Sequence, residues 1–337
     1  MTARIARAAR ASSAPLALGL LAAWLLVAVA PLARAVWASR ADAAGTALVG
    51  LHLLCLVAAL AACTTRGARP FGRRDALAAW LPLAAVPLCY AELPRVAAGL
   101  TVRPDLPAPL HDAAVVAWER ALFAALPGAS PVLALSAWLP ARAASELFHL
   151  GYLAYYPLIY VPPAWLWWCA VRRTRAGDAP AARAARAAFD GSTGAVLLAF
   201  VACYVVFACW PVAGPWYSWP APATVPDGPV RGVVLGILHA GSSRGTAFPS
   251  SHVAVSVAQS LALCAAAARA TAPRLAPPAA LATLLLATGA VYGGFHWGVD
   301  VLAGAAVGVA AAALAVPAAR RPGGAGGRDR PGPRRVG

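Results

Sequence analysis

The sequence predicts an all-α, polytopic membrane helix bundle of about eight transmembrane helices. Three observations carry that prediction. Of 337 residues, 61 % are hydrophobic and 12 % charged, and the mean hydropathy is +0.68; a soluble domain carries about 25 % charged residues and about 45–50 % apolar ones. Apolar runs that approach or exceed the roughly 20 residues needed to cross a bilayer recur along the whole chain. The 28 basic residues, all of them Arg, are shared unevenly between alternate loops. This composition weighs against both a disordered chain and a soluble enzyme.

Eight runs read as spans: 15–37, 44–63, 76–93, 147–171, 193–213, 251–268, 277–297 and 300–318, each bounded by charge or by Pro and Gly. The first follows Arg4, Arg7 and Arg10 and so looks like a secretory leader, but seven further spans favour a retained helix. With the N-terminus inside, twenty Arg fall on the inner face together with Asp75, Asp178, Asp190 and Asp329. The outer face holds Arg34, Arg40, Arg95, Arg103, Arg120, Arg142, Arg231 and Arg244, balanced by the other eight acids. The whole net charge of +16 thus falls inside, as the positive-inside rule requires. The chain is expected in the cell inner (plasma) membrane with both termini cytoplasmic. Nucleic acid is not an expected partner, because the Arg residues are scattered among loops rather than clustered on one face. Trp165, Trp167 and Trp168 end the fourth span and Trp210, Trp216 and Trp219 the fifth, where interfacial belts belong.

The spans divide the chain into two N-terminal helices (1–75), six core helices (76–318) and a disordered Arg/Gly/Pro tail (319–337). Within the core, the outer segment 94–146 contains Pro104, Pro107 and Pro109 and then an amphipathic helix from Asp112 to Leu126, with Val115, Trp118 and Leu122 on one face. A second outer segment, 214–250, is rich in Pro and Gly. The seven cysteines form no CxxC pair and read as apolar packing residues, so no metal site is expected.

Polar groups are costly in a membrane domain and mark function by default. Two clusters stand out, Gly-Thr-Ala-Phe-Pro-Ser-Ser-His at 245–252 and Gly-Gly-Phe-His-Trp-Gly-Val-Asp at 293–300. The topology puts both at the outer interface. His296 and Asp300 share a helix face at i, i+4, so Asp300 can bond one imidazole nitrogen and leave the other as a nucleophile. His252 can protonate a leaving group. Ser250, Ser251 and the amides opening the sixth span offer donors to an anion, and Arg244, then Arg231, a planar fork for phosphate oxygens. Together these residues describe phosphoryl transfer through a phosphohistidine, with no metal or other cofactor. Ser250 has an equal claim as a helix N-cap. His52 reads as a hydrogen-bonded core histidine, and His111, His149 and His239 as outer-interface residues.

Phe-Pro-Ser-Ser-His resembles the second signature of the type 2 phosphatidic acid phosphatase superfamily, and His296-x-x-x-Asp300 followed by Val-Leu-Ala-Gly resembles its third. The resemblance implies a six-helix bundle, His296 as nucleophile, Asp300 as its orienting partner and His252 as the acid. The usual third signature carries Ser-Arg just upstream, where this chain has Gly289 and Ala290, and the first signature is missing, with Gly214-Pro215-Trp216 near its place. Those departures, and Trp118-Glu119-Arg120 in the pre-core helix, resemble the inositol phosphorylceramide synthase-like (inositolphosphotransferase) branch. The expected activity is that of a lipid phosphatase or phosphotransferase acting on a lipid phosphate or polyprenyl phosphate at the outer leaflet. The rival expectation is a non-catalytic or transport-related membrane protein that keeps the fold.

Overall fold

The computed structural model describes residues 16–39, 42–64, 70–218, 225–268 and 270–316. The charges at Arg4, Arg7, Arg10, Arg40, Arg66, Arg69 and Arg269, the belt residue Trp219 and the tail from 319 lie outside the described residues.

Thirteen α-helices are formed among the described residues, and the extended structure there is one parallel bridge, Val212 to Thr246. In chain order the helices are α1 (Leu16–Ala38), α2 (Ala43–Thr64), α3 (Arg73–Gly99), α4 (Asp112–Leu122), α5 (Pro131–Trp138), α6 (Arg142–Leu153) and α7 (Tyr155–Arg175). They continue with α8 (Ala179–Cys209), the single turn α9 (Pro215–Ser218), α10 (Pro229–Gly241), α11 (Ser251–Ala267), α12 (Ala276–Tyr292) and α13 (Gly298–Ala315). Among the described residues six spans are long and apolar enough to cross a membrane: α1, α2, α3, α8, α13, and α12 extended back to Pro273. The other two expected spans correspond to α7 and α11. The 21 residues of α7 include three Tyr, three Trp and three Pro, which lower its hydropathy, and α11 has 17 residues.

Three element boundaries differ from those expected, each for a local reason. The fourth span, 147–171, is two helices, α6 and α7, parted at Ala154. Pro157 has no N–H to return to Leu153, so the helical hydrogen-bond ladder is interrupted at this point. Helix α4 stops at Leu122 rather than 126, because Leu126 precedes Pro127 and takes an extended conformation (ψ 154°). The fifth span begins almost four turns early, at Ala179: Asp178 caps α8 by accepting from the Ala181 N–H at 3.2 Å. Arg183, Arg186 and Asp190 are therefore helical rather than loop residues, and Arg186 bridges Asp75 of α3 (2.8 Å) and Asp190 (3.0 Å) beside the Trp167 ring.

The bundle centres on α8, which packs against α1, α3, α7, α11 and α13. Its inner surface, Phe200, Cys203, Tyr204 and Phe207, joins Leu18, Leu21 and Leu25 of α1 and Ala254, Val255 and Ala258 of α11 in one apolar core. Helix α2 is peripheral: Leu53, Leu54, Val57 and Leu60 are exposed, while His52 faces inward and is fully buried. Such a surface fits acyl chains rather than water. His52 bonds the Glu92 carboxyl through Nδ1 (2.9 Å) and the Leu25 carbonyl through Nε2 (2.8 Å), tying α1, α2 and α3 together. This is the hydrogen-bonded core histidine expected from the sequence.

Candidate active site

The site is assembled from the two loops that the sequence singled out. Leaving α8, the chain runs extended through Val212, whose N–H donates to the Gly245 carbonyl (3.2 Å) and whose carbonyl accepts from the Ala247 N–H (2.9 Å). Gly245 adopts φ 106°, a conformation open chiefly to glycine. The chain then passes Phe248 and Pro249 into α11. Ser250 caps that helix, accepting from the Val253 N–H at 3.4 Å, and is fully buried. His252 follows in the first turn.

The second loop turns at Gly294 (φ 72°), and the Phe295 and His296 N–H groups both donate to the Ala290 carbonyl at 3.0 Å. His296 lies just before α13 rather than on it. Its Nδ1 is 3.0 Å from the Ala247 carbonyl and 3.6 Å from Asp300 Oδ2. A carbonyl can only accept, so Nδ1 donates, and in the neutral ring the lone pair is on Nε2. Nδ1 therefore bonds a backbone carbonyl from the first loop, and Asp300, the partner expected from the sequence, stands at ion-pair distance. The fully buried Asp300 also accepts from the Trp297 N–H (2.8 Å), while its backbone carbonyl accepts from the Ser250 N–H (2.9 Å), stitching the two loops together. The His252 and His296 ring centroids are 5.6 Å apart.

Sequence reasoning passed over four residues that hold this arrangement. Tyr152 of α6 places its hydroxyl 3.3 Å from His252 Nε2, and the Tyr155 ring lies 4.2 Å from the His252 ring. Glu119, almost fully buried, accepts from the Gly298 (3.1 Å) and Val299 (3.0 Å) N–H groups at the start of α13 and from the Ser130 hydroxyl (2.8 Å). Asp112 accepts from the Ala213 and Gly214 N–H groups, each at 2.9 Å. The usable signal was periodicity: Glu119 falls four residues after Val115, on the buried face of an amphipathic helix.

The expected anion-binding residues are more dispersed. Arg244 is exposed, with its guanidinium 6.0 Å from the Tyr217 ring centre. Arg231 is paired with Asp227. Ser251 opens α11 and is buried. Glu146 and His149 do not pair directly. Glu146 accepts from the Val230 (3.0 Å) and Arg231 (3.2 Å) N–H groups, which hold its carboxyl below the usual carboxylate range, and His149 Nδ1 bonds the Ser145 carbonyl at 2.6 Å. His111 stacks on Trp210, which also meets Trp118 and Phe248, so Trp210 is part of an aromatic cluster over the first loop rather than a simple interfacial anchor. His239 is exposed and meets the edge of Trp216.

The structure also explains Gly289 and Ala290. A Cβ at Gly289 would stand 2.1 Å from the Phe148 carbonyl oxygen of α6, and Ala290 is fully buried in a cluster with Tyr152, Val234 and Phe295. Helix α6 fills the space that a larger basic side chain at 290 would need.

Two imidazoles facing one another, one with a defined tautomer, beside the opening turn of a helix make an arrangement suited to nucleophilic attack on an anionic centre. No curated protein and no solved structure matches the chain. Residues 193–322, which contain His252, His296 and Asp300, match the family model of the PAP2 superfamily.

Proposed function

We propose that the chain hydrolyses or transfers the phosphate ester of a membrane lipid, a lipid phosphate or polyprenyl phosphate, at the outer leaflet through a phosphohistidine on His296. The observation that carries this reading is the Nδ1–H···O=C bond from His296 to Ala247, which in the neutral ring puts the lone pair on Nε2. Nε2 attacks phosphorus, the P–O ester bond breaks, and the departing alkoxide takes a proton from His252. Water or an acceptor alcohol then attacks the phosphohistidine, His252 accepts the incoming proton, and His296 is regenerated. Asp300, 3.6 Å from Nδ1, offsets the positive charge that the ring acquires once phosphorylated.

The non-bridging oxygens are met by the opening turn of α11, with Ser250 and Ser251, and by Arg244. The first N–H groups of a helix have no intrahelical acceptor, and Arg244 stands three residues before the carbonyl that holds His296. Arg231 is the second candidate, because its guanidinium is already engaged by Asp227. Water as acceptor gives a lipid phosphatase, and a hydroxyl acceptor gives a phosphotransferase of the inositol phosphorylceramide synthase-like kind.

The test is an assay of purified protein over phosphatidic acid, polyprenyl diphosphate and phosphoinositide donors, with and without acceptor alcohols. The expected result is phosphate release or transfer, with a trapped phosphohistidine that disappears in His296→Ala. Absence of release and transfer from every donor, in protein shown to be folded, overturns the reading. Sidedness is tested by labelling Gly241→Cys, an exposed position, after Cys209 and Cys264 are replaced. Labelling from the cytoplasmic side alone refutes the outer-leaflet assignment.

A further inference from the structure

We propose that α4 is a positioning clasp for His296, with Asp112 and Glu119 holding the two backbone segments between which its imidazole is suspended. The two carboxylates are seven residues apart and so share a helix face. Asp112 takes the Ala213 and Gly214 amides at 2.9 Å each. The residue before them, Val212, forms the paired bonds with Gly245 and Ala247, and the Ala247 carbonyl receives the His296 Nδ1 proton. Glu119 takes the Gly298 and Val299 amides, two and three residues beyond His296, and is itself anchored by the Ser130 hydroxyl at 2.8 Å. One carboxylate therefore governs where the acceptor for His296 sits, and the other governs where the ring's own backbone sits. Each carboxylate meets two N–H donors, a match that an amide side chain cannot reproduce, because it offers one oxygen and an NH₂. Both residues act through the backbone amides that they hold.

The clasp deepens the proposed reaction and rests on it for its catalytic meaning, but the orientation of the ring can be read without turnover. Full-length protein carrying ¹⁵N-histidine, with the His296 signals assigned by their loss in His296→Ala, should show protonated Nδ1 and unprotonated Nε2. In Asp112→Asn and in Glu119→Gln the two nitrogen resonances should move toward each other as the tautomers mix. In the same variants kcat should fall about 10- to 100-fold with KM within about threefold, the signature of a misplaced reacting group rather than a lost binding contact. If Glu119→Gln does not fold, Asp112→Asn, on the other arm of the clasp and only partly buried, reads the same ring. Folded variants that keep the wild-type nitrogen pattern and turnover overturn the clasp. A changed nitrogen pattern alongside an active His296→Ala protein upholds the clasp and refutes the phosphohistidine reading instead.

Discussion

Replacing Gly304 by Ala should separate the two halves of the site. Gly304 and Gly308 lie one turn apart on α13 against the backbone of α11. A methyl group at Gly304 would stand 2.4 Å from the Ser250 carbonyl oxygen, and one at Gly308 2.4 Å from the Ala254 oxygen and 2.8 Å from Val257 Cβ. Carbon rests about 3.3 Å from a carbonyl oxygen, so the helices must part by about 0.9 Å at Gly304. The obstacle is backbone, and no change of rotamer relieves it. Ser250 precedes His252 by two residues and its N–H is bonded to the Asp300 carbonyl, so the displacement passes directly to the two histidines. A shift of this size costs about 100-fold in rate, and overpacking costs about 1–3 kcal/mol in stability. Turnover at saturating donor and thermal melting in the same detergent would be measured for both variants. Gly308→Ala should lose similar stability but less activity, since its clash lies one turn, about 5 Å, further from the histidines. Gly19→Ala on α1, with no atom within 4 Å of the added carbon, should leave turnover unchanged. Full turnover and an unchanged melting point in Gly304→Ala would refute the close contact and the coupling argued from it.

Three further outcomes follow from the packing. Because the Leu25 carbonyl requires a proton on His52 Nε2, one proton is shared between His52 Nδ1 and Glu92; His52→Leu should cost about 3–5 kcal/mol in denaturant titrations by stranding a buried carboxyl, whereas Glu92→Gln, which can still donate to Nδ1, should cost less than half as much. Ala290→Arg should abolish folded expression rather than supply a phosphate ligand, because the site is fully buried behind α6 and an unpaired charge there costs more than about 4 kcal/mol. The Glu146 carboxyl is held below its ordinary pKa by two amides of α10, so its contribution is complete above the unfolded value of about 4.3 and disappears as pH falls toward the lowered folded value; stability curves of wild type and Glu146→Gln should run parallel above about pH 5 and converge in acid.

Much of the architecture was legible because membrane spans announce themselves by length and hydropathy. The two candidate-site loops were legible because His, Ser and Asp in apolar surroundings are expensive. What escaped was everything that depends on approach between distant segments. Nothing in Tyr152 distinguishes it from its aromatic neighbours until the break at Ala154 turns α6 against α12 and brings its hydroxyl to His252. The His296–Asp300 spacing suggested a hydrogen bond, yet the bond goes to a backbone carbonyl 49 residues away, and spacing carries no information about carbonyls. Asp112 and Glu119 cap amides of segments about 100 and 180 residues away in sequence, and helical periodicity can mark a buried face without naming the partner it meets.

The supports of the site lie largely outside the matched segment 193–322, and this bears on how the earlier helices work. Tyr90 of α3 shows the logic. The Thr246 hydroxyl donates to the Ser243 carbonyl (2.7 Å), so the Tyr90 hydroxyl must donate to Thr246 Oγ1 (3.1 Å), which leaves its oxygen to accept the Ser243 N–H (3.1 Å). One phenol thereby fixes both ends of the turn that carries Arg244. Tyr90 precedes Glu92 by two residues, and Glu92 is fastened through His52 to α1 and α2. The peripheral helices are thus linked through α3 to the turn from which Arg244 projects. A chain beginning near residue 193 would keep His252, His296 and Asp300 but lose Tyr90, Asp112, Glu119 and Tyr152, that is, the groups that hold the Arg244 turn, the His296 loops and the His252 ring in place.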